Sequence, residues 1–273
     1  MIRRRPKIKL NENDRIAMRT ACQFNAELMD FIRPQVVAGV STGELDRVVH
    51  EYTLDNGHKP ACLGYPGDTC PFPRSCCISV NEVVCHGIPG NYELRPGDIV
   101  NLDLTSVVDG WFGDQSETFM IGKVDELSRR VTQCAFDSLY RAIGAIYPDC
   151  PVSLIGQSIT QFVRSDYPGF GVVDKYVGHG IGTCFHQRPN IPHVPTRQGW
   201  QERLRPGMCF TIEPMINGGT ANCVSDPHDG WTVRTGDGLV SAQFEHTILM
   251  TEKGPEILTK TRNGPQPGHR FRV

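Results

Sequence analysis

Two acidic residues end matched segments of this chain, where both could ligate a metal ion. Residues 94–103 and 204–213 each begin Leu-Arg-Pro-Gly, and in both copies an apolar strand follows the Pro-Gly turn and ends on a carboxylate, Asp103 or Glu213. The offset between the copies is constant at 110 positions, which is 213 minus 103. A strand that presents an acid twice indicates one site built between two related half-domains.

A tight hairpin places another carboxylate beside Asp103. Asp109 and Gly110 lie between two β-rich runs, where an Asp-Gly pair is a strong signal for a two-residue turn. In that register Thr105 faces Asp114, so Asp103 and Asp114 become diagonal neighbours on one face of the sheet. Two carboxylates this close repel each other unless a cation or a shared proton lies between them. The hairpin therefore predicts either a metal site or an acid dyad.

Three residues of the second half favour the metal. His179 lies in a glycine-rich turn, Glu213 ends a strand, and Glu245 lies in an otherwise apolar run where an unpaired carboxylate would be costly to bury. With Asp103 and Asp114 they form an oxygen-rich set with one imidazole, which suits two divalent ions that share bridging carboxylates. Two such ions lower the pKa of a bridging water enough to supply hydroxide near neutral pH, so hydrolysis is the expected chemistry.

Composition excludes several other classes of protein. The chain has 273 residues, of which 39% are hydrophobic and 21% charged, and a net charge of -2, so we expect no DNA partner. It contains no apolar run of the roughly 20 residues that cross a bilayer, and its basic start is not followed by the apolar core of a secretory signal. We therefore expect a cytoplasmic protein without a membrane contact.

The cysteines cannot form a complete disulfide framework. There are 11 of them, an odd number, and a chain of this length can build a core without disulfides, so we expect reduced thiols. A zinc knuckle is a weaker interpretation of the cluster between residues 62 and 85, because it contains no C-x2-C pair and no matching pair of histidines. Buried or pocket-lining thiols are the stronger interpretation.

The order of the predicted elements repeats once along the chain. Periodicity predicts a helix over residues 11–33, capped by Asn13 or Asp14 and buried through an apolar stripe that begins at Ile16, and a second helix over 41–56. Strands follow to about residue 121, and two more helices and further strands come after them. This pattern predicts an α+β fold of two duplicated halves, about 8–122 and 123–259, within one catalytic domain over 1–259. Residues 260–273 are expected to form a flexible C-terminal tail.

Six ordered motifs resemble those of the methionine aminopeptidases. Five are Asn101-Leu102-Asp103, Gly113-Asp114, Gly178-His179-Gly180-Ile181-Gly182, Thr211-Ile212-Glu213-Pro214-Met215 and Gln243-Phe244-Glu245-His246-Thr247. The sixth, residues 81–89, looks like the segment that carries the family's substrate-contacting histidine. The resemblance covers about residues 8–259 and implies the pita-bread fold, a curved antiparallel sheet covered by helices. Glu245 follows Glu213 by only 32 positions, 245 minus 213, and the chain begins almost directly at its first helix, so it resembles the minimal bacterial type I form.

The resemblance also implies a role for each predicted metal ligand. Asp103 would chelate one ion, Asp114 and Glu245 would bridge two, and His179 and Glu213 would complete the set. Glu213 would in addition carry a proton to the leaving amine. The ions would be two divalent cations, Co, Mn, Fe or Zn.

Further residues are implied to bind substrate or a second kind of cation. His86 and His186 would contact the substrate amine, the scissile peptide or the tetrahedral intermediate. A methionine pocket would consist of Cys62, Tyr65, Phe72, Cys77, Phe185 and Trp231, whose sulfur and aromatic edges suit a thioether. The loop over residues 64–72 is about three residues longer than is usual in the family. A monovalent cation is implied near Asn81, Val83 and Ser241.

The implied activity is removal of the initiator methionine from nascent chains whose second residue is small. One alternative is an Xaa-Pro aminopeptidase or prolidase with the same ligands and a different pocket. Another is a protein on the same fold that binds peptides without turnover. We expect a monomer, and the basic segment over residues 3–9 is interpreted either as a solvated end or as a transient contact with ribosomal RNA.

Overall fold

The computed structural model describes residues 6–272 and contains helices and short strands in alternating groups. The helices are α1 (Glu12–Ile32), α2 (Thr42–Asp55), α3 (Glu126–Ala145), α4 (Ser153–Asp166) and α5 (Arg197–Gln201), with a 3-10 turn over Arg33–Gln35. The strands of the first half are β1 (Lys59–Pro60), β2 (Cys77–Val80), β3 (Val83–Cys85), β4 (Ile99–Val108) and β5 (Trp111–Met120).

The second half carries more strands, most of them short. They are β6 (Cys150–Pro151), β7 (Gly171–Val172), β8 (Gly178–Gly180), β9 (Gln187–Ile191), β10 (Arg203–Leu204), β11 (Cys209–Ile212), β12 (Met215–Asn217), β13 (Cys223–Ser225), β14 (Val233–Thr235), β15 (Ser241–Gln243), β16 (His246–Thr251) and β17 (Gly254–Ile257). Two helices followed by strands occur twice, which confirms the predicted α+β class with duplicated halves. The pairings within each sheet are antiparallel, as predicted.

Each half has its own core between helices and strands. In the first half, Leu28 and Leu45 of the helices pack with Leu102 of β4. In the second half, Phe136 of α3 packs with Phe210 of β11. Both aromatic side chains are almost fully buried, so each helix pair is held to its strands by apolar burial.

The two halves join beside the predicted metal ligands. The Glu245 N–H donates to the Ser116 carbonyl of β5 at 3.0 Å. The Gln243 carbonyl accepts from the Asn101 amide at 2.9 Å and from the Thr118 hydroxyl at 2.7 Å. These bonds bring Glu245 of the second half against β4 and β5 of the first half.

The capping residue of the first helix lies earlier in the chain than the sequence predicts. Asn11 is its N-cap, because the Asn11 side chain accepts from the Asp14 N–H at 3.0 Å and the Asp14 carboxylate accepts from the Asn11 N–H at 2.8 Å. The prediction of Asn13 or Asp14 as the cap was therefore wrong. Ile16 was also expected in the buried stripe and is 60% exposed, whereas Met18 and Cys22 are fully buried.

The C-terminal segment packs against the protein, whereas the sequence predicts a flexible tail over residues 260–273. The backbone N–H groups of Arg262 and Asn263 donate to the Asp30 carboxylate at 2.7 and 3.1 Å. The Phe271 N–H donates to the Gln133 side chain at 3.0 Å. The stretch as far as residue 270 is polar, and Phe271 just beyond it anchors the described part of this segment.

Within residues 6–272, no helix has the combination of length and apolar character needed to span a membrane.

Candidate functional site

The β4–β5 hairpin has the predicted register. Thr105 pairs with Asp114 and Asp103 pairs with Ser116, so Asp103 and Asp114 are diagonal neighbours. The turn residue Asp109 and the glycine after it have φ angles of 50° and 86°, the left-handed conformations that a two-residue turn of this type requires. Local turn chemistry thus fixes which face of the sheet both acids share.

All the residues predicted to bind divalent metal or substrate line one cavity of about 310 Å³. They are Asp103, Asp114, His179, Glu213, Glu245, His86, His186, Cys62, Tyr65, Phe72, Cys77, Phe185 and Trp231. Sequence reasoning did not find the remaining residues of its wall, which are Cys85, Lys175, Tyr176, Val177, Met215 and Gln243.

Acidic oxygens surround the His179 imidazole. Its Nε2 lies 3.6 Å from Asp114 Oδ2 and 3.7 Å from Glu213 Oε1, which is longer than a hydrogen bond. Ligand atoms of Asp114, His179 and Glu245 all lie within 4.8 Å of one another, and the three residues are buried. This spacing suits atoms that approach a common cation rather than one another.

The His179 ring is oriented for metal binding through Nε2. Its Nδ1 lies 3.2 Å from the Gly180 carbonyl, so we assign the proton to Nδ1 as the donor. The Nε2 lone pair then points toward the acids, and burial lowers the pKa of His179 to about 4, so the ring is neutral at physiological pH. A neutral imidazole held by a backbone carbonyl is the usual arrangement of a metal-binding histidine.

The four acids lack a compensating positive charge. Burial raises the pKa of Asp103 to about 7. Burial, followed by repulsion from neighbouring acids, raises the pKa values of Asp114, Glu213 and Glu245 well above their usual range. Among the described residues that line the cavity, Lys175 is the single Lys or Arg, and its ammonium is directed to the Ser225 hydroxyl at 3.4 Å. Divalent cations would relieve this repulsion, so the donor set fits a metal centre.

Neighbouring side chains hold the carboxylates in place. The Thr105 hydroxyl donates to Asp114 Oδ1 at 2.8 Å. Thr211 donates to Glu213 Oε1 at 2.8 Å, and the Gln243 amide donates to Glu213 Oε2 at 3.2 Å. Such supporting bonds fix ligand orientation. No sequence pattern indicates these bonds, because Thr and Gln on strands have no distinctive spacing.

An apolar pocket adjoins the acids. Cys62, Phe72 and Cys77 are buried there, with Tyr65, Ile88, Phe185 and Trp231 packed against them. The Trp231 indole N–H donates to the Cys70 carbonyl at 3.0 Å, so the long loop over residues 64–72 holds the Trp231 ring at the pocket wall. Ile88 is a pocket neighbour that the sequence did not indicate.

His86 and His186 reach the cavity from opposite halves of the chain. His86 follows β3 with φ of 56°, and its ring centroid is 6.2 Å from that of Trp231. The His186 ring is 4.2 Å from the His179 ring, and its Nδ1 hydrogen-bonds with the Tyr65 hydroxyl at 2.7 Å. Burial lowers the pKa values of His86 and His186 to about 4 and about 3, so both rings are neutral hydrogen-bonding groups.

The structure also brings together two of the residues implied for a monovalent cation. The Ser241 N–H donates to the Asn81 carbonyl at 2.9 Å, and Asn81 adopts a φ of 52° just before Val83 begins β3. One lone pair of that carbonyl is thus already used. The cation itself stays a prediction.

Comparison with known proteins gives the family. Residues 16–252 match metallopeptidase family M24. The chain belongs to this family. The methionine aminopeptidase of Escherichia coli K12 is 45% identical over 252 residues, which cover 92% of both chains. A crystal structure of methionine aminopeptidase from Rickettsia prowazekii superposes with a TM-score of 0.88 at 40% identity and covers 93% of this chain and 100% of that chain.

More distant structures share the M24 fold alone. A prolidase from Pyrococcus horikoshii superposes with a TM-score of 0.72 at 18% identity and covers 93% of this chain and 64% of that one. Because the chain is an M24 metallopeptidase, the buried group of Asp114, His179 and Glu245 is its candidate metal site. Asp103 and Glu213 line the same cavity and extend this set of donors.

Proposed function

We propose that this type I enzyme removes the N-terminal methionine of nascent proteins whose second residue is small. The observation that carries the proposal is that the metal-binding group of Asp114, His179 and Glu245 opens onto an apolar pocket lined with sulfur and aromatic rings. A thioether side chain packs well against such a wall. The methionine aminopeptidases at 45% and 40% identity support the same assignment.

The five donors would hold two divalent ions of Co, Mn, Fe or Zn. Asp103 would hold one ion, Asp114 and Glu245 would contribute to both, and His179 and Glu213 would complete the set. When bound, the ions supply Lewis acidity and a water that loses its proton near neutral pH. Oxygen and imidazole donors accept any of these metals, so availability would decide which one is bound.

The protein's own residues would position the peptide and move the proton. Glu213 would accept the proton of the attacking water and deliver it to the leaving amine. His86 and His186, which are neutral, would donate hydrogen bonds to the scissile peptide and to the oxygen that becomes negative during attack. Enclosure of the methionine side chain would place the first peptide bond beside the donors.

Reconstitution of the metal-depleted protein with one cation at a time tests this function. We expect release of methionine from Met-Ala-Ser with at least one of Mn, Co, Fe and Zn, and loss of that activity on chelation. Turnover of Ala-Pro-Ala alone would instead identify an Xaa-Pro aminopeptidase. Binding of Met-Ala-Ser without turnover under any cation would identify a peptide-binding protein.

We further propose that the enzyme acts in the cytoplasm as a monomer on chains that emerge from the ribosome. The basic segment over residues 3–9 is the proposed contact with ribosomal RNA, and residues 3–5 of it lie outside the described part of the chain. Deletion of residues 1–7 should reduce co-sedimentation with ribosomes in low salt. Unchanged co-sedimentation would refute this contact.

The monovalent cation near Asn81, Val83 and Ser241 is also a proposal, tested by the dependence of activity on K⁺ or Na⁺.

A further inference from the structure

Two cysteine thiols lie side by side in the wall of the apolar pocket. β5 pairs with β4 along its whole length, so β1 and β2 must share the other edge of β4. On that edge the Ala61 N–H donates to the Thr105 carbonyl at 2.9 Å, and Cys77 pairs with Asp103. Cys62 therefore ends one segment close to the start of β2 at Cys77, and both side chains belong to one buried apolar cluster.

These thiols line the proposed methionine pocket, but they take no part in the bond-breaking step of the proposed hydrolysis. Both side chains line the cavity, although Cys62 is only 6% and Cys77 only 7% exposed. A pair of thiols can bind an atom that takes two sulfur ligands, and the thiol protons then leave with a displaced oxygen.

We propose that Cys62 and Cys77 form a chelating site for trivalent arsenicals, and that occupation of this site closes the pocket. With phenylarsine oxide, two As–S bonds form and the bonds from arsenic to oxygen break. The two thiol protons leave with that oxygen as water, so no oxidant or reductant is needed.

The geometry and the surroundings favour this ligand class. Two thiols held in one buried cluster need little rearrangement to bind one atom, which reduces the entropic cost of chelation. Soft sulfur ligands select soft ions, whereas the acids nearby are hard oxygen donors that suit divalent metals of the catalytic centre. The rings of Phe72 and Trp231, whose centroids are 5.2 Å apart, would pack against the phenyl group.

Other thiols provide matched controls. Cys70 is exposed and its sulfur is directed to the Asp229 carbonyl, while Cys223 is half-buried and directed to the Ala221 carbonyl. Cys70 lies in the loop over residues 64–72, whereas Cys223 begins β13 and packs against the cluster that contains Cys85. Cys70 would bind arsenic through one sulfur, from which excess glutathione should displace it. Loss of the adduct in Cys223→Ser would place arsenic on Cys223 and Cys85 and would overturn the proposal.

Intact-protein mass spectrometry with phenylarsine oxide and excess glutathione tests the site. We expect one phenylarsenic adduct on the wild-type protein, removed by dithiothreitol, and the same adduct on Cys70→Ser and Cys223→Ser. Cys62→Ser and Cys77→Ser should each bind roughly tenfold more weakly or worse, because only one sulfur remains. Undiminished adduct on both pocket variants would overturn the proposal.

Two further measurements separate folding and function from this result. If the pocket variants fail to fold, as judged by circular dichroism, peptide mapping of the wild-type adduct shows which cysteines bind arsenic. Arsenic on cysteines other than Cys62 and Cys77 overturns the proposal.

Closure of the methionine pocket rests on the proposed function. The arsenical should inhibit methionine release in competition with the peptide. A protein that never releases methionine but binds arsenic at Cys62 and Cys77 would refute the function and leave the dithiol site standing.

Discussion

The His193 imidazole accepts a hydrogen bond from the Glu213 backbone N–H at 3.3 Å and is fully buried. Burial lowers the pKa of His193 to about 3, so the ring is neutral and its Nε2 can accept this bond at physiological pH. The bond fixes the backbone of the residue that we assign to proton transfer. His193 thus acts as a positioning residue for Glu213.

Replacing His193 with Leu should remove this acceptor while it keeps the site apolar. We expect kcat for Met-Ala-Ser to fall roughly 10–100-fold, as is typical when a residue that orients a ligand is lost, with a smaller change in KM. His193→Gln retains a side-chain acceptor and should recover part of the lost kcat. Equal kcat in His193→Leu and the wild type would show that the bond does not position Glu213.

Asp114→Asn should remove a ligand that we assign to both ions. The amide has no negative charge, although Thr105 can still hydrogen-bond to its oxygen. We expect bound metal, measured by atomic emission after dialysis, to drop below that of the wild type. Methionine release should fall by more than the roughly 100-fold upper range for residues that only support a ligand.

Asp149→Asn is the matched control for that change. The Asp149 side chain is 71% exposed and its φ is 66°, a conformation that Asn adopts readily. Metal content and activity should equal those of the wild type. If Asp114→Asn behaves like this control, Asp114 is not a metal ligand.

Gly113→Ala should destabilise the hairpin that carries the acids. A Cβ at Gly113 would lie 2.4 Å from the Ala21 carbonyl oxygen of α1, so β5 and α1 would have to separate. We expect a loss of about 1–3 kcal/mol in the free energy of unfolding, measured in urea. Gly144→Ala in α3 has open space and should instead stabilise the protein by up to about 1 kcal/mol. A neutral Gly113→Ala would mean that this contact is not tight.

Gly67→Ala should disturb the wall of the methionine pocket. A Cβ there would lie 2.3 Å from the Trp231 ring, which must then move. We expect KM for Met-Ala-Ser to rise roughly tenfold, the scale of a one-methylene misfit in an apolar pocket. Gly90→Ala meets no atom within 4 Å and should leave KM unchanged. The same KM in both variants would remove Trp231 from the pocket assignment.

A structural feature could be predicted from the sequence when neighbouring residues determine it. The register of Asp103 and Asp114 follows from a two-residue turn between them, so an Asp-Gly pair was enough to predict it. The predicted metal ligands of the second half came from ordered motifs rather than from periodicity. Their convergence needed the join between Glu245 and Ser116, which no local pattern encodes.

Residues that act through tertiary packing were missed for the same reason. His193 meets Glu213 across 20 positions of sequence through the packing of separate strands, and its type alone does not distinguish it from other histidines. Ile16 fits an apolar stripe but faces solvent, because α1 buries the face that contains Met18 and Cys22. Helix periodicity predicts that a buried face exists more reliably than it predicts which residues lie at the centre of that face.

Phe271 links the C-terminal segment to the strand segment that carries Glu245. Its ring centroid lies 5.5 Å from that of Phe136 and 5.8 Å from that of Phe244, the residue before Glu245. Phe271→Ala should lower the free energy of unfolding by about 2 kcal/mol, less than the roughly 3–5 kcal/mol for a fully buried Phe, because Phe271 is only partly buried. Arg272→Ala, at an exposed neighbour, should change it by less than about 0.5 kcal/mol. Indistinguishable urea midpoints for the two variants would support a flexible tail, as the sequence alone predicts.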